Sequence, residues 1–457
     1  MKIALINPPL PRPFAIILKL VHYREIYSIP LGLAYIAAYA RQAGHTVKIF
    51  DPEPCGMPLE LMWRKIEEFR PDIVGITSVT PNFMLARQLV IEAKRCFGCL
   101  VVMGGPHVNA LPRSTLQGLP ELDAVILGEG EIPILDLATE FDARGKVDFN
   151  KIPGAAFMEG WNYKETPRPE LISNLDALPY PARDLVDINL YTRRYPFLGK
   201  KRMVLLSSRG CPSQCTFCAN ICMGRKFRAR SAADVVGEME YLVEKYGIRH
   251  FQFADDCFTA APERVSEICE LIISKQLDVT WDIMGRVNTL LDEALILKMK
   301  RAGCVQIMMG IETGNQRILD LMKKGTTIAM IEECCSLLRK YSIATYNSYI
   351  IGGEGDTKET IMSTIAFSKK LKSEMAVFAI LVPLPGTPLF DKYYKDYDTP
   401  DTNWSAWYSA MRAKPYEYRH TALSNKTIWW FMIWAHLRFY LDPFQFLRLL
   451  FHVIDIG

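Results

Sequence analysis

The sequence has no apolar run long enough to cross a bilayer. A spanning helix takes about 20 predominantly apolar residues. The nearest approach, TIWWFMIWAHL at Thr427 to Leu437, is far shorter and is followed directly by Arg438. Excess charge is also missing: 54 Lys and Arg stand against 50 Asp and Glu, a formal net charge of +4. That imbalance is too small to argue for a nucleic-acid partner. The amino terminus, MKIALINPPLPRP, lacks the charged, apolar and small-residue zones of a secretory leader. The expected location is therefore the cytoplasm, where thiols stay reduced. No G-x-G-x-x-G fingerprint is found, so a nicotinamide dinucleotide is not indicated. No internal repeat is found.

What is present is an ordinary globular balance, 49% apolar and 23% charged over 457 residues, enough chain for about two to four domains. Residues 1–140 alternate short apolar runs (Lys2–Ile6, Val47–Phe50, Ile73–Thr77, Leu100–Met103, Ala124–Leu127) with helical stretches such as Leu31–Ala43 and Asn82–Cys96. This rhythm predicts a doubly wound, Rossmann-like α/β domain with a mostly parallel sheet. Its ligand is expected outside the carboxyl ends of the strands. Residues 141–199 are proline-rich and read as a connecting segment with a few short strands. A second series fills 200–395, with strands at Met203–Ser207, His250–Ala254, Thr280–Ile283, Val305–Gly310, Asn347–Ile351 and Ala376–Val382. Six βα units in that length predict a partial barrel with its chemistry at the carboxyl-terminal mouth. Residues 396–457 form an aromatic-rich, α-helical segment that holds five of the eight tryptophans.

The twelve cysteines are scattered, not framed as a disulfide scaffold, and close spacing among them points to metal or redox chemistry. Right after the first strand of the second series stands Ser208-Arg-Gly-Cys211-Pro-Ser-Gln-Cys215-Thr-Phe217-Cys218. Thiolates are the soft ligands that iron–sulfur clusters require. Three of them on a four-iron cube leave one iron open to a substrate. A zinc site completed by Cys222 is the competing reading.

Later strand ends add polar groups: Asp255 and Asp256, then Arg286, then Glu312 between Gly310 and Gly314. The C-x3-C-x2-C run resembles the signature of the radical S-adenosylmethionine (SAM) superfamily, and the resemblance extends over about 200–395. It implies a [4Fe–4S] cluster on Cys211, Cys215 and Cys218 whose open iron is chelated by the amino and carboxylate groups of SAM. Reductive cleavage then gives a 5′-deoxyadenosyl radical. It further implies Phe217 beside the adenine, Asp255 or Asp256 on the methionyl ammonium, and Glu312 on a ribose hydroxyl. Arg286 is the expected clasp for the SAM carboxylate. Helix capping by the aspartates and a surface ion pair for Arg286 are the plainer alternatives. The run Ser348-Tyr-Ile350-Ile-Gly352-Gly-Glu354 is similar to the family's adenine motif G-x-I-x-G-x-x-E, in which Ile350 and Gly352 fit. Ser348 departs from it and Glu354 comes one position early.

The post-strand loops of the first domain are rich in glycine and small hydroxyls. They include Asn7-Pro-Pro, Ile29-Pro-Leu31-Gly, Thr77-Ser78-Val-Thr80, Gly104-Gly105-Pro-His107 and Gly128-Glu129-Gly130-Glu131. They resemble the cobalamin-binding domain that precedes many radical SAM domains. The wider family's D-x-H-x-x-G motif, which supplies a histidine below cobalt, is not present. His107 is then read either as an axial ligand or as a local cap. A domain that binds nothing and serves as an interface is the plain alternative.

The resemblance implies C-methylation of an unactivated carbon in a small molecule, tetrapyrrole or lipid, with electrons from a donor such as flavodoxin or ferredoxin. The alternatives are a radical oxidative cyclase without methyl transfer, and a non-catalytic corrinoid or electron carrier. The tail aromatics Trp429, Trp430, Trp434, Phe439, Tyr440, Phe444, Phe446, Leu447, Leu450 and Phe451, with Arg438 and Arg448 among them, predict a helix packed on the domains. The same residue types suit peripheral contact with a membrane.

Overall fold

The computed structural model describes residues 1–11, 27–192, 200–220, 222–407, 417–443 and 445. Phe444, Phe446, Leu447, Arg448, Leu450 and Phe451 of the tail lie outside the described residues. The five apolar runs of the first series form parallel strands: β1 (Lys2–Ile6), β2 (Thr46–Phe50), β3 (Ile73–Thr77), β4 (Leu100–Gly104) and β5 (Ala124–Ile126). The inner strands are apolar on both faces because helices cover both, whereas the edge strand β2 alternates and exposes Thr46 and Lys48. Ala4, Ile6 and Val74 pack with Met62, Ile66 and Val90 of one helical layer. Ile3, Leu5 and Ile73 pack with Leu33, Ala37 and Leu137 of the other. The order β2-β1-β3-β4-β5 reverses direction at β1, which opens a crevice at the carboxyl ends of β1 and β3. The connecting segment does more than link: β6 (Ala155–Glu159) and β7 (Asn162–Glu165) join the sheet antiparallel beyond β5, and the sheet runs past residue 140.

The second series gives β8 (Arg202–Leu205), a two-stranded ribbon of β9 (Ser208–Arg209) and β10 (Arg228–Ala229), then β11 (His250–Phe253), β12 (Thr280–Gly285), β13 (Cys304–Glu312), β14 (Ala344–Ile351) and β15 (Met375–Ile380). Six of these pair in parallel in the order β15-β14-β13-β12-β11-β8, an open barrel. The edge strand β15 is capped by helix Asn425–Tyr440 through side chains. Tyr440 Oη accepts from Ala376 N at 3.1 Å and donates to Ala376 O at 2.7 Å, and Phe378 N donates to His436 Nε2 at 3.3 Å. Satisfying edge groups in this way removes a site for unwanted strand pairing.

Buried ion pairs join the parts. Glu238, on helix Ala232–Tyr246, is fully buried between Arg183 of the connecting segment (2.5 Å) and Arg230. Burial alone would raise its pKa, but the two guanidiniums hold it below the usual carboxylate range. Its stabilising contribution therefore stands at neutral pH and is lost as pH falls through that depressed value. Removing one partner of a buried pair leaves uncompensated charge, at a cost of roughly 3–5 kcal/mol. Glu238→Ala is predicted to lower the unfolding midpoint accordingly. Asp184→Ala, which breaks a half-exposed pair with Arg41, is predicted to cost less than about 1 kcal/mol. Equal midpoints for the two variants by circular dichroism would refute this ranking.

Candidate active site

The loop that carries the three cysteines is fixed at both ends and in its middle. The β9–β10 ribbon closes its base, and Gly210 makes the turn into it at φ +83°. A Cβ on Gly210 would stand 2.4 Å from Lys226 O, so the turn requires glycine. Thr216 N donates to Met322 O (3.1 Å), and Thr216 O accepts from Leu389 N (3.1 Å). The loop thus presents Cys211, Cys215 and Cys218 to one cavity of about 380 Å³ at the carboxyl-terminal mouth of the barrel. The Cys211 thiol is made more acidic by its surroundings. A hydrogen bond from Cys257 leads the causes that outweigh burial and bring its thiol down to about 5. Cys218 is pushed up to about 11 by burial. Among the described residues, no group of His, Cys, Asp and Glu side chains converges on a single ion. Three soft thiols spread along one wall suit the corners of a cube better than one zinc ion. Cys222 faces the cavity of the other domain, and burial raises it to about 12.

Phe217, Asp256, Arg286 and Glu312 line the same cavity as the thiols. Asp256 is held above the usual carboxylate range, first by burial and then by the nearby Cys211. Asp255 is turned away, contrary to expectation. It is fully buried and accepts from Ser207 N (2.7 Å), Ser207 Oγ (2.6 Å) and Ser208 Oγ (2.5 Å), so it braces the strand end below the cysteine loop. Ile350 and Gly352 do not line the cavity; Ser348 and Tyr346, earlier on β14, do. Gly352 instead lies against Ile428, and its carbonyl accepts from His420 Nε2 at 2.9 Å. Glu354 pairs with Lys392 and Tyr393 outside the cavity. Sequence reading missed Lys324. It is nearly buried, lines the cavity and bonds Glu312 Oε1 at 2.5 Å.

A second cavity, also about 380 Å³, opens at the strand ends of the first domain. Thr77, Gly104, Gly105, Glu129, Gly130 and Glu131 line it. Gly32 and Gly128 line it too, and a Cβ on either would meet no protein atom within 4 Å. At Gly128 the backbone itself favours glycine, at φ +82°, whereas at Gly32 no strain explains it and the open space suits a large ligand. Ser78 lies beneath, fully buried, with Oγ lacking a partner in the protein. The barrel closes the other side with Leu206, Arg209, Ala219, Cys222 and Met223, which the sequence could not assign. Asn7, Leu31, Ser78 and Thr80 do not reach this cavity: Asn7 bonds Asp51 (3.2 Å) and Thr80 bonds His107 Nδ1 (3.1 Å). His107 is not an axial ligand here. It is sealed between Phe83 and Trp404, with ring centroids at 4.0 and 5.0 Å, and burial lowers its pKa to about 3.

Cys218, Asn220 and Asp256 line both cavities, so the two sites share one wall. The model for the Radical SAM superfamily matches residues 205–368, and that for the B12 binding domain matches 18–138. An uncharacterized methyltransferase of Pyrococcus horikoshii is 35% identical over 79% of this chain and 78% of its own length. The chain belongs to the cobalamin-binding radical SAM family. An anaerobic magnesium-protoporphyrin IX monomethyl ester cyclase of Rubrivivax gelatinosus is 32% identical over 79% of this chain and 66% of its own. The fold is that of the radical SAM methyltransferase TsrM of Kitasatospora setae, solved with cobalamin and a [4Fe–4S] cluster bound. That structure has TM-score 0.72 and 20% identity, covering 87% of this chain and 78% of TsrM. The protein is thus a radical SAM enzyme whose cofactors are a [4Fe–4S] cluster, SAM and cobalamin.

The residues present fit these groups. The three thiols would hold the cluster, and the glycine cradle would hold the corrinoid. Cys215→Ala is predicted to lose the cluster, while Cys222→Ala retains the wild-type iron and sulfide content after anaerobic reconstitution. Loss of iron from the Cys222 variant would move the assignment towards a four-thiol centre.

Proposed function

We propose that the enzyme methylates an unactivated carbon of a small, largely apolar substrate held between the two cavities. The shared wall carries this reading: a substrate at Cys218, Asn220 and Asp256 touches both cofactor sites at once. When bound, the cluster supplies the electron that cleaves SAM and cobalamin supplies the transferable methyl group. The chain's own task is placement and exclusion of water. Leu5, Leu33, Ile36, Ile76 and Ile134 make the corrinoid cavity apolar, and Met284, Met308 and Met309 do the same for the cluster cavity. Asp256, whose pKa is raised by burial and by its anionic neighbours, places a carboxyl group at the junction. Relatives named as methyltransferases support the reading, among them the hopanoid C-3 methylase of Methylococcus capsulatus, 27% identical over 78% of this chain. The Rubrivivax cyclase, whose name states ring closure, keeps the oxidative alternative in play.

Product accounting separates the two. Under anaerobic turnover with a strong reductant, methyl transfer is predicted to give S-adenosylhomocysteine and 5′-deoxyadenosine in equal amounts with methylated product. Deoxyadenosine with no S-adenosylhomocysteine would favour the cyclase, and neither product would indicate a carrier. In the cell the electron is expected from a flavodoxin or ferredoxin.

Among the described residues no helix is long and apolar enough to cross a membrane. Helix Asn425–Tyr440 nevertheless exposes Trp430, Leu437 and the following Leu441, contains Lys426 and Arg438, and has no acidic residue. Arg438 lies over the Trp434 ring at 5.6 Å. This combination supports docking at an anionic lipid interface. Trp430→Ala/Leu437→Ser is predicted to reduce co-sedimentation with anionic vesicles. If wild type itself stays in the supernatant, the helix serves only to cap β15.

A further inference from the structure

The loop after β12 was expected to direct Arg286 towards the carboxylate of SAM. The geometry gives it other work. Arg286 Nη1 donates to Cys215 Sγ at 3.6 Å, Nη2 to the carbonyl of Lys324, and Nε to Asn288 Oδ1 at 3.3 Å. All three guanidinium nitrogens are engaged, and one of them on a thiol of the triplet. The backbone around Arg286 is itself held, because Thr289 Oγ1 donates to Arg286 O at 2.8 Å and bonds Thr259 Oγ1 at 2.5 Å. We propose that Arg286 is a positioning residue for the cluster: it holds the Cys215 sulfur in register, raises the reduction potential of the cluster, and leaves the SAM carboxylate to Lys324.

Each half follows from charge and donor number. A hydrogen bond to a ligating sulfur, made by a fixed cation, stabilises the extra electron of the reduced cluster and moves its potential upward. A guanidinium suits this because its rigid planar fork holds fixed donors on two acceptors, here Cys215 Sγ and Lys324 O, where an ammonium is a flexible point charge. Two other cations stand in the cavity wall: Arg225 is exposed and donates to Ser213 O at 2.7 Å, whereas Lys324 is buried. Its ammonium has three donors, and the bond to Glu312 Oε1 uses one of them. A carboxylate delivered to the open side of the thiol triplet therefore meets Lys324. The bond from Arg286 to Lys324 O fixes the second cation through the first. The inference rests on the cluster and SAM and is independent of whether a methyl group is transferred.

The test uses the full-length holoenzyme, reconstituted anaerobically and without substrate, so that methyl transfer plays no part. Reductive titration followed by electron paramagnetic resonance gives the midpoint potential, and equilibrium dialysis with SAM gives its Kd. Arg286→Gln is expected to lower the equilibrium constant for reduction roughly tenfold, about 59 mV for one electron, with SAM affinity little changed. Arg286→Lys is expected to fall between it and wild type. Lys324→Met is expected to weaken SAM binding roughly tenfold at an unchanged potential. The opposite pattern overturns the proposal: an unmoved potential in Arg286→Gln with SAM binding lost. If Arg286→Gln holds no iron, the Arg286→Lys protein decides, and a wild-type potential there also overturns it.

Discussion

One buried guanidinium ties the two cofactor sites together. Arg209 stands two residues before the first cluster thiol, yet its partners lie in the other domain: Glu129 at 2.8 Å and Glu131 at 2.6 Å, with the Tyr35 ring 5.1 Å away. Arg228, across the β9–β10 ribbon, adds a second bond to Glu129 at 2.8 Å. Burial works against the charge of Arg209, but the two carboxylates hold its pKa above the normal guanidinium value. Ions this deeply buried persist only when paired and hydrogen-bonded. The glycine-rich loop of the first domain and the cysteine loop of the second therefore form one rigid piece. A hinge between the domains would have to break the pairing of four buried charges, Arg209, Arg228, Glu129 and Glu131. Two reactive centres that must act on one carbon need such a fixed spacing.

This lock explains which parts of the site were legible in the sequence. Residues that act on their own strand end were readable: the thiol triplet, Phe217, Asp256, Glu312 and the loop glycines all face a cavity. Their spacing from a strand terminus fixes where they point. Glu129 and Glu131 were also placed at the corrinoid cavity, but what they bind in the protein, arginines some eighty and a hundred residues later, has no local signal. Lys324 was missed for the same reason. It lies on a loop after a helix, and only the fold brings it to Glu312. Of the barrel residues that close the corrinoid cavity, Leu206 and Arg209 precede the first thiol, and Ala219, Cys222 and Met223 follow the last, where neither periodicity nor a motif marks them.

The misreadings have physical causes of their own. Adjacent residues at a strand end point to opposite sides, so a pair such as Asp255-Asp256 divides its labour. One carboxylate goes into the structure and is satisfied by Ser207 and Ser208, while the other reaches the cavity. The same alternation sets Tyr346 and Ser348 of β14 into the mouth. Ile350 and Gly352 continue past it, under the C-terminal segment. His107 looked like a ligand because it follows a Gly-Gly-Pro turn. The aromatic pair Phe83 and Trp404 closes over it instead.

Glu312 shows how local strain is used. It is a non-glycine residue at φ +66°, in the left-handed region that side chains avoid. The register between β13 and β14 slips at this point, between Gly310 and Glu312. The slip turns the Glu312 carboxylate back over Gly310, and a Cβ there would stand 2.1 Å from Oε1 and 2.8 Å from Lys324 Nζ. A side chain at 310 would push the Glu312–Lys324 pair out of this position. The pair in turn sets a cation and an anion side by side at the mouth, opposite the thiols. A zwitterionic ligand with a carboxylate, an ammonium and hydroxyls finds complementary charges there. The strained residue, the glycine that makes room for it and the lysine it holds therefore act as one unit, fixed before any ligand arrives.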